Sequence, residues 1–274
     1  MQPEAPHAAA PARAPGTKPP IIRVDQASQR FGTRLIFRDV SFAVAASEVF
    51  VILGGSGCGK STLMNQMIGL LPPTSGTIEI AGHRITGPDG LTGRQAAQRV
   101  FGVMFQSGAL FGSMTLLENV MLPLEMFTDL PAEGRAAVAQ VKLGLVGLGY
   151  AAELLPAEIS GGMAKRAGIA RAMALDPPIL FLDEPSAGLD PVTSAGLDRL
   201  ILDLRQDLGV TFVVVTHELA SILAIADRCV MLDAAAMPDA GGVIAEGDPR
   251  VLRDESTDPK VHAFFHREML GAAA

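Results

Sequence analysis

The chain has 274 residues, a formal net charge of −7 and 49% hydrophobic residues. That length allows one large α/β domain with a full core, or a core domain with a smaller subdomain. The acidic balance argues against a nucleic-acid binder, which would carry a basic face. Two distant cysteines, Cys58 and Cys229, suggest a reducing compartment rather than a disulfide framework.

The first twenty residues are rich in Ala and Pro and have no apolar stretch of the secretory kind, so a disordered lead is expected over 1–20. Residues 21 to 53 read as β-structure, with Phe50-Val51-Ile52-Leu53 a buried strand ending at Gly54. The next helix carries Leu63, Met67 and Leu70 at helical spacing and is expected to stop before Pro72-Pro73. Gly76 to Gly82 alternates like an edge strand.

From 107 to about 175 the pattern turns helical. Thr115 and Glu118 have capping-box spacing ahead of Val120-Met121-Leu122, and Pro123, Pro131 and Pro156 are expected to cut the region into short helices. Ile179 to Leu182 and Val210 to Val215 are almost wholly apolar, as buried parallel strands are, and residues 227 to 247 resume strand character. The alternation predicts a mostly parallel sheet with a helical insertion near 107–165. No apolar run reaches the roughly 18 residues needed to span a bilayer, so no crossing is expected.

Gly54-Gly55-Ser56-Gly57-Cys58-Gly59-Lys60-Ser61 fills the eight-residue phosphate-loop pattern between a predicted strand and helix. Its glycines let several N–H groups face one phosphate, and the helix start adds partial positive charge. Lys60 supplies a mobile cation, Ser61 a hydroxyl for Mg²⁺, and Thr62 a further phosphate contact. Cys58 lies at a helix N-terminus, where a thiol pKa can fall and redox chemistry becomes open; the plainer reading is a small residue that fits.

Asp183 closes an apolar strand where a Mg²⁺ contact is expected, and Glu184 is placed to take a proton from an attacking water. Alone, such a pair would be an ordinary strand-to-loop turn. Beside a phosphate loop it reads as catalytic. His217 and Gln106 each follow a strand end and would reach the same crevice of a parallel sheet. Phe31, ahead of Gly32, is a candidate for stacking on a base or else a core aromatic. Ser160 reads as an N-cap that leaves the N–H groups of Gly161 and Gly162 free, a second anion site at another helix start.

The order of these motifs is similar to that of ABC-transporter ATPases. Gly54 to Ser61, Gln106, Ser160-Gly161-Gly162, Ile179 to Glu184, Ala187-Gly188-Leu189-Asp190 and His217 correspond to Walker A, Q-loop, signature, Walker B, D-loop and H-loop, over about residues 21–250. The resemblance implies a P-loop NTPase fold with a mostly parallel core sheet, an antiparallel β-subdomain and a helical signature subdomain. It also implies ATP hydrolysis with Mg²⁺ held by Ser61, Gln106 and Asp183. Two copies would close on ATP, with Ser160, Gly161 and Gly162 facing the nucleotide of the opposite copy and Asp190 a further nucleotide-binding residue.

Met163 stands where the commonest signature has Gln. Ser160 to Arg166, Phe105 to Phe111 and Asp258 to Phe265 resemble the ATPases of Mla-type phospholipid transporters, which serve MCE-domain systems. That narrower resemblance implies a peripheral place on the cytoplasmic face of the inner membrane. The partners it implies are an MlaE-type permease, a STAS-domain MlaB-like protein and a periplasmic MCE protein. Leu110, Phe111, Leu116, Leu117 and Val120 would receive the permease or else pack in the core.

Residues 251–274 read as a docking tail, with Phe264, Phe265 and Met269 near one helical stripe that would dock on a neighbouring copy. His262 and His266 have zinc-compatible spacing but no third strong ligand, so a solvated helix face is the expectation. An ABC ATPase for another cargo, such as an amino acid or drug, fits the core equally. A soluble ABC protein of DNA repair or translation fits less well, because no coiled-coil insertion or paired cassette is present.

Overall fold

The computed structural model describes residues 20–86, 93, 96, 97 and 99–268. The predicted lead, apart from Pro20, and Met269 lie outside them. Among the described residues ten strands form one sheet: β1 (Pro20–Phe31), β2 (Arg34–Ala45), β3 (Val49–Gly54), β4 (Ser75–Ile80), β5 (His83–Arg84), β6 (Phe101–Met104), β7 (Ile179–Asp183), β8 (Thr211–Val215), β9 (Arg228–Met237) and β10 (Ala240–Gly247). Their order is β5-β4-β1-β2-β10-β9-β3-β8-β7-β6. Strands β9, β3, β8, β7 and β6 run parallel, while β5, β4, β1 and β2 pair antiparallel. A single pair, Gly241 with Phe37, joins β10 to β2.

The described helices are α1 (Lys60–Met67), α2 (Leu116–Phe127), α3 (Ala132–Leu145), α4 (Gly161–Ala172), α5 (Pro191–Leu208), α6 (Leu219–Ile225), α7 (Pro249–Glu255) and α8 (Pro259–His266). Side chains alternate across the parallel strands and so feed two cores. Val49, Val51, Leu53, Leu180, Leu182, Phe212 and Val214 join α2 to α6 on one face. Phe50, Ile52, Ile179, Phe181, Val213 and Val215 join α1 and the antiparallel strands on the other. Among the described residues no helix is long and apolar enough to cross a membrane.

Several expectations need correction. Helix α1 ends at Met67, and Leu70 lies beyond it, exposed. Pro123 does not end a helix: it sits inside α2, where Leu116, Val120 and Leu124 are buried on either side of it. Burying those three side chains outweighs the roughly 3 kcal/mol that an interior proline costs. Leu116 and Val120 are core, not a receiving surface, while Phe111 is exposed. In the tail, Val261 and Phe265 are buried in the chain's own core and half-buried Phe264 packs against it, so these described members of the stripe face their own chain. The His262 and His266 rings stack at 4.0 Å, both exposed.

Candidate functional site

The parallel strands end at one edge, where a doubly wound sheet gathers its ligand contacts. Strand β3 delivers the phosphate loop there. Gly54 has φ 143, and a Cβ would lie 2.1 Å from the Leu232 carbonyl oxygen on β9, so the loop leaves the sheet through a gap only glycine fits. Gly59, at φ 100, caps α1, and a Cβ there would meet Phe37 at 2.8 Å. Ser61 and Thr62 open α1, Ser61 being exposed. The Lys60 ammonium folds back over the loop and donates to the Gly54 and Gly55 carbonyls, each at 2.9 Å.

Cys58 is 1% exposed. Burial pushes its thiol up despite the nearby Lys60 charge, opposite to the fall that the redox reading of Cys58 would need. Phe31 closes β1 beside the Gly32 turn and is 49% exposed, so it is not a core aromatic.

Strand β7 brings Asp183 and Glu184 to the same edge. Glu184 holds a left-handed backbone, φ 46, uncommon for a residue with a Cβ, and its N–H donates to the Val215 carbonyl on β8 at 2.8 Å. The His217 Nδ1 lies 2.8 Å from Glu184 Oε1. Asp183 Oδ1, Glu184 Oε2 and Ser186 Oγ are buried without a hydrogen-bond partner, three of the five such atoms among the described residues. Burial and then the Glu184 charge push the Asp183 carboxyl up, while Lys60 and Lys165 oppose the shift. Buried acceptors without partners, beside a phosphate loop, fit an oxygen-coordinated divalent cation.

Gln106 lies just past β6, its side chain exposed and its carbonyl bound by Lys165 Nζ. Lys165 also donates to the Glu184 carbonyl at 3.2 Å, so the structure brings Gln106 and Glu184 together. Sequence reasoning did not single out this lysine.

Ser160 caps α4 through the Met163 N–H at 3.3 Å. Gly162 packs beside Thr193, where a Cβ would come 2.4 Å from its Cγ2. Asp190 caps α5, accepting from the Val192 and Thr193 N–H groups at 3.0 Å each. The Thr193 hydroxyl and N–H, in that order, hold the Asp190 carboxyl below its usual range. Among the described residues no hydrogen bond joins the Ser160–Gly162 segment to the phosphate loop. Within one chain these are separate sites.

A phosphate loop, an acidic strand end and a histidine gathered at one edge of a parallel sheet define a P-loop NTPase. The family described as ABC transporter matches residues 37–187, and the chain belongs to it. It is an ATP-hydrolysing cassette.

The chain is 39% identical over 250 residues to the probable ribonucleotide transport ATP-binding protein mkl of Mycobacterium tuberculosis, covering 91% of this chain and 67% of that one. It is 39% identical over 234 residues to the intermembrane phospholipid transport system ATP-binding protein MlaF of Escherichia coli K12, covering 85% and 84%. The methionine import ATP-binding protein MetN of Cupriavidus necator is 42% identical over 229 residues, covering 82% and 66%. Among solved structures, a dimeric ATP-binding cassette in a post-hydrolysis state with ADP and Pi superposes with a TM-score of 0.72 at 29% identity, covering 83% of this chain and 98% of that one.

Proposed function

We propose that this cassette, with its ATPase unit over 21–250, works as a pair of identical copies that drive phospholipid through a separate MlaE-type permease at the cytoplasmic face of the inner membrane. The observation that carries the cargo is the joint likeness to MlaF, of which the chain spans 84%, and to the Mla-type segment around Met163. The methionine import relative is matched over 66% of its length. It makes an amino-acid cargo the second reading.

In this mechanism Lys60 exchanges the Gly54 and Gly55 carbonyls for the β and γ phosphates, which the loop N–H groups and the α1 start also hold. Ser61, Gln106 and Asp183 would hold Mg²⁺, which when bound would supply neutralisation of the phosphate charge. His217 Nδ1 lies against Oε1 of Glu184, the carboxylate that takes the proton from the attacking water in this reading. Phe31 offers its exposed face to the base. Ser160 fixes the start of α4 so that the Gly161 and Gly162 N–H groups can meet the nucleotide of the other copy, alongside Asp190.

The permease contact is read onto the groove formed by Phe105, Phe111, Leu122, Met126 and Phe127, next to Gln106. Phe111 is 51% and Met126 67% exposed there, apolar surface of the kind that marks a partner. A STAS-domain protein on the helical subdomain and a periplasmic MCE protein complete the proposed assembly.

Glu184→Gln should trap an ATP-bound dimer with little turnover, measured by gel filtration and phosphate release. Normal turnover in that variant would sink the assignment. Lipid extracted from the intact membrane complex tests the cargo: phospholipid with an MlaE-type permease supports it, and a copurified amino-acid permease overturns it.

A further inference from the structure

Lys165 lies on the second turn of α4 and is 6% exposed. Its ammonium donates to two main-chain carbonyls, those of Gln106 and Glu184. Burial lowers its pKa, while the charges of Glu184 and then Asp183 raise it. Further along the same helix, Arg171 donates to the Gly108 carbonyl at 2.9 Å and the Ala109 carbonyl at 2.7 Å. Between them Gly168 passes so close to the loop that a Cβ would lie 3.2 Å from Gly108 Cα and 3.3 Å from its oxygen. The loop from Gln106 to Ala109 is therefore fastened to α4 by three cation–carbonyl bonds and a close backbone contact.

Among the described residues, Lys165 is the one that carries a hydrogen bond from this helix on to Glu184, the residue after β7. Glu184 sits in an uncommon backbone conformation: its N–H donates to the Val215 carbonyl, and its own carbonyl accepts from Lys165 and from the Ala187 N–H of the turn that follows. Such a conformation persists only where its surroundings hold it. A charged donor gives the stronger kind of hydrogen bond, and this one spans helix, loop and strand.

We propose that Lys165 is a positioning residue for hydrolysis: it ties the backbones of Glu184 and Gln106 to the helix that begins with Ser160-Gly161-Gly162. The proposal rests on the reading of Glu184 as the proton acceptor. Movement of α4 when its first turn meets a nucleotide is then delivered to the general base and to Gln106 together. A misplacement of the base by about 1 Å costs on the order of 10²-fold in rate.

The test is steady-state ATP hydrolysis, with ATP affinity and thermal melting, on the full chain and on Lys165→Met, Lys165→Gln, Lys165→Arg and Glu184→Gln. K165M keeps the length and burial but removes every donor. Its kcat is expected to fall about 10²-fold, with KM, ATP affinity and melting near those of the unmodified chain. K165Q, with one amide for two carbonyls, is expected between them, and K165R, which keeps a cation and several donors, is expected to recover most of kcat. An unchanged kcat in K165M or K165Q overturns the proposal. So does a loss of kcat that only follows a loss of folded protein and that Arg does not restore. A dead E184Q beside a fully active K165M rejects the bridge alone, whereas an active E184Q rejects the reading of Glu184 itself.

Discussion

At Glu184 one backbone angle and three main-chain hydrogen bonds decide where a carboxylate points. The residue was legible in the sequence because it follows an apolar run and Asp183; its left-handed φ of 46 was not, because the angle is set by Val215 on another strand. Lys165 was illegible for the same reason. Its acceptors lie 59 and 19 residues away, and no local pattern marks a lysine that turns inward.

Two predictions belong to this scale. Cys58, buried and with its thiol pushed up, should react with a thiol reagent at neutral pH far more slowly than an exposed cysteine, as absorbance kinetics on the native chain would show. Asp198 is buried on α5, accepts from the Ser221 hydroxyl at 2.8 Å and has its carboxyl raised by burial. A raised folded-state carboxyl binds its proton more tightly than the unfolded chain does. The cost of its charge is therefore present above the folded pKa and fades as pH falls through it toward the ordinary value. Asp198→Asn should stabilise the chain most at high pH, relative to the unmodified protein. Urea unfolding at several pH values reads that slope.

Among the elements, the start of α2 was fully readable. The Thr115 hydroxyl accepts from the Glu118 N–H at 3.1 Å and the Glu118 carboxylate accepts from the Thr115 N–H at 2.7 Å, as the spacing required. Thr115→Ala should cost about 1 kcal/mol. The course of α2 through Pro123 was not readable, since the penalty of a proline is local and the burial that offsets it is tertiary. The approach of β6 to α4 was hidden likewise. A Cβ on Gly102 would lie 1.9 Å from the Ala172 carbonyl oxygen, a backbone atom that cannot swing aside. Gly102→Ala should therefore destabilise by about 1–3 kcal/mol, read by denaturant midpoint, although Gly102 touches no phosphate.

For the molecule as a whole, the alternating apolar and helical segments gave the parallel sheet, and the ordered motifs gave its ligand edge. In the tail, an amphipathic stripe tells that a face will be covered and not by what. Phe265 is 3% exposed within its own chain. Phe265→Ala should lower stability by about 3–5 kcal/mol, to the same extent at low and high protein concentration. A stripe that docked on a second copy would instead show its loss only where copies associate.

Strand β3 loads opposite cores with neighbouring residues, Phe50 and Ile52 to one side and Val49, Val51 and Leu53 to the other. Its period of two leaves no room for a slip, because a shift of one residue exchanges every side chain between faces. The same shift would carry Gly54 away from the Leu232 carbonyl and put a side chain where none fits. Substitution of one apolar residue by another of similar volume is open to this strand, but a change of length is not. Over the chain's history, insertions and deletions should be absent from 49–59 and should collect instead in the turn between β9 and β10.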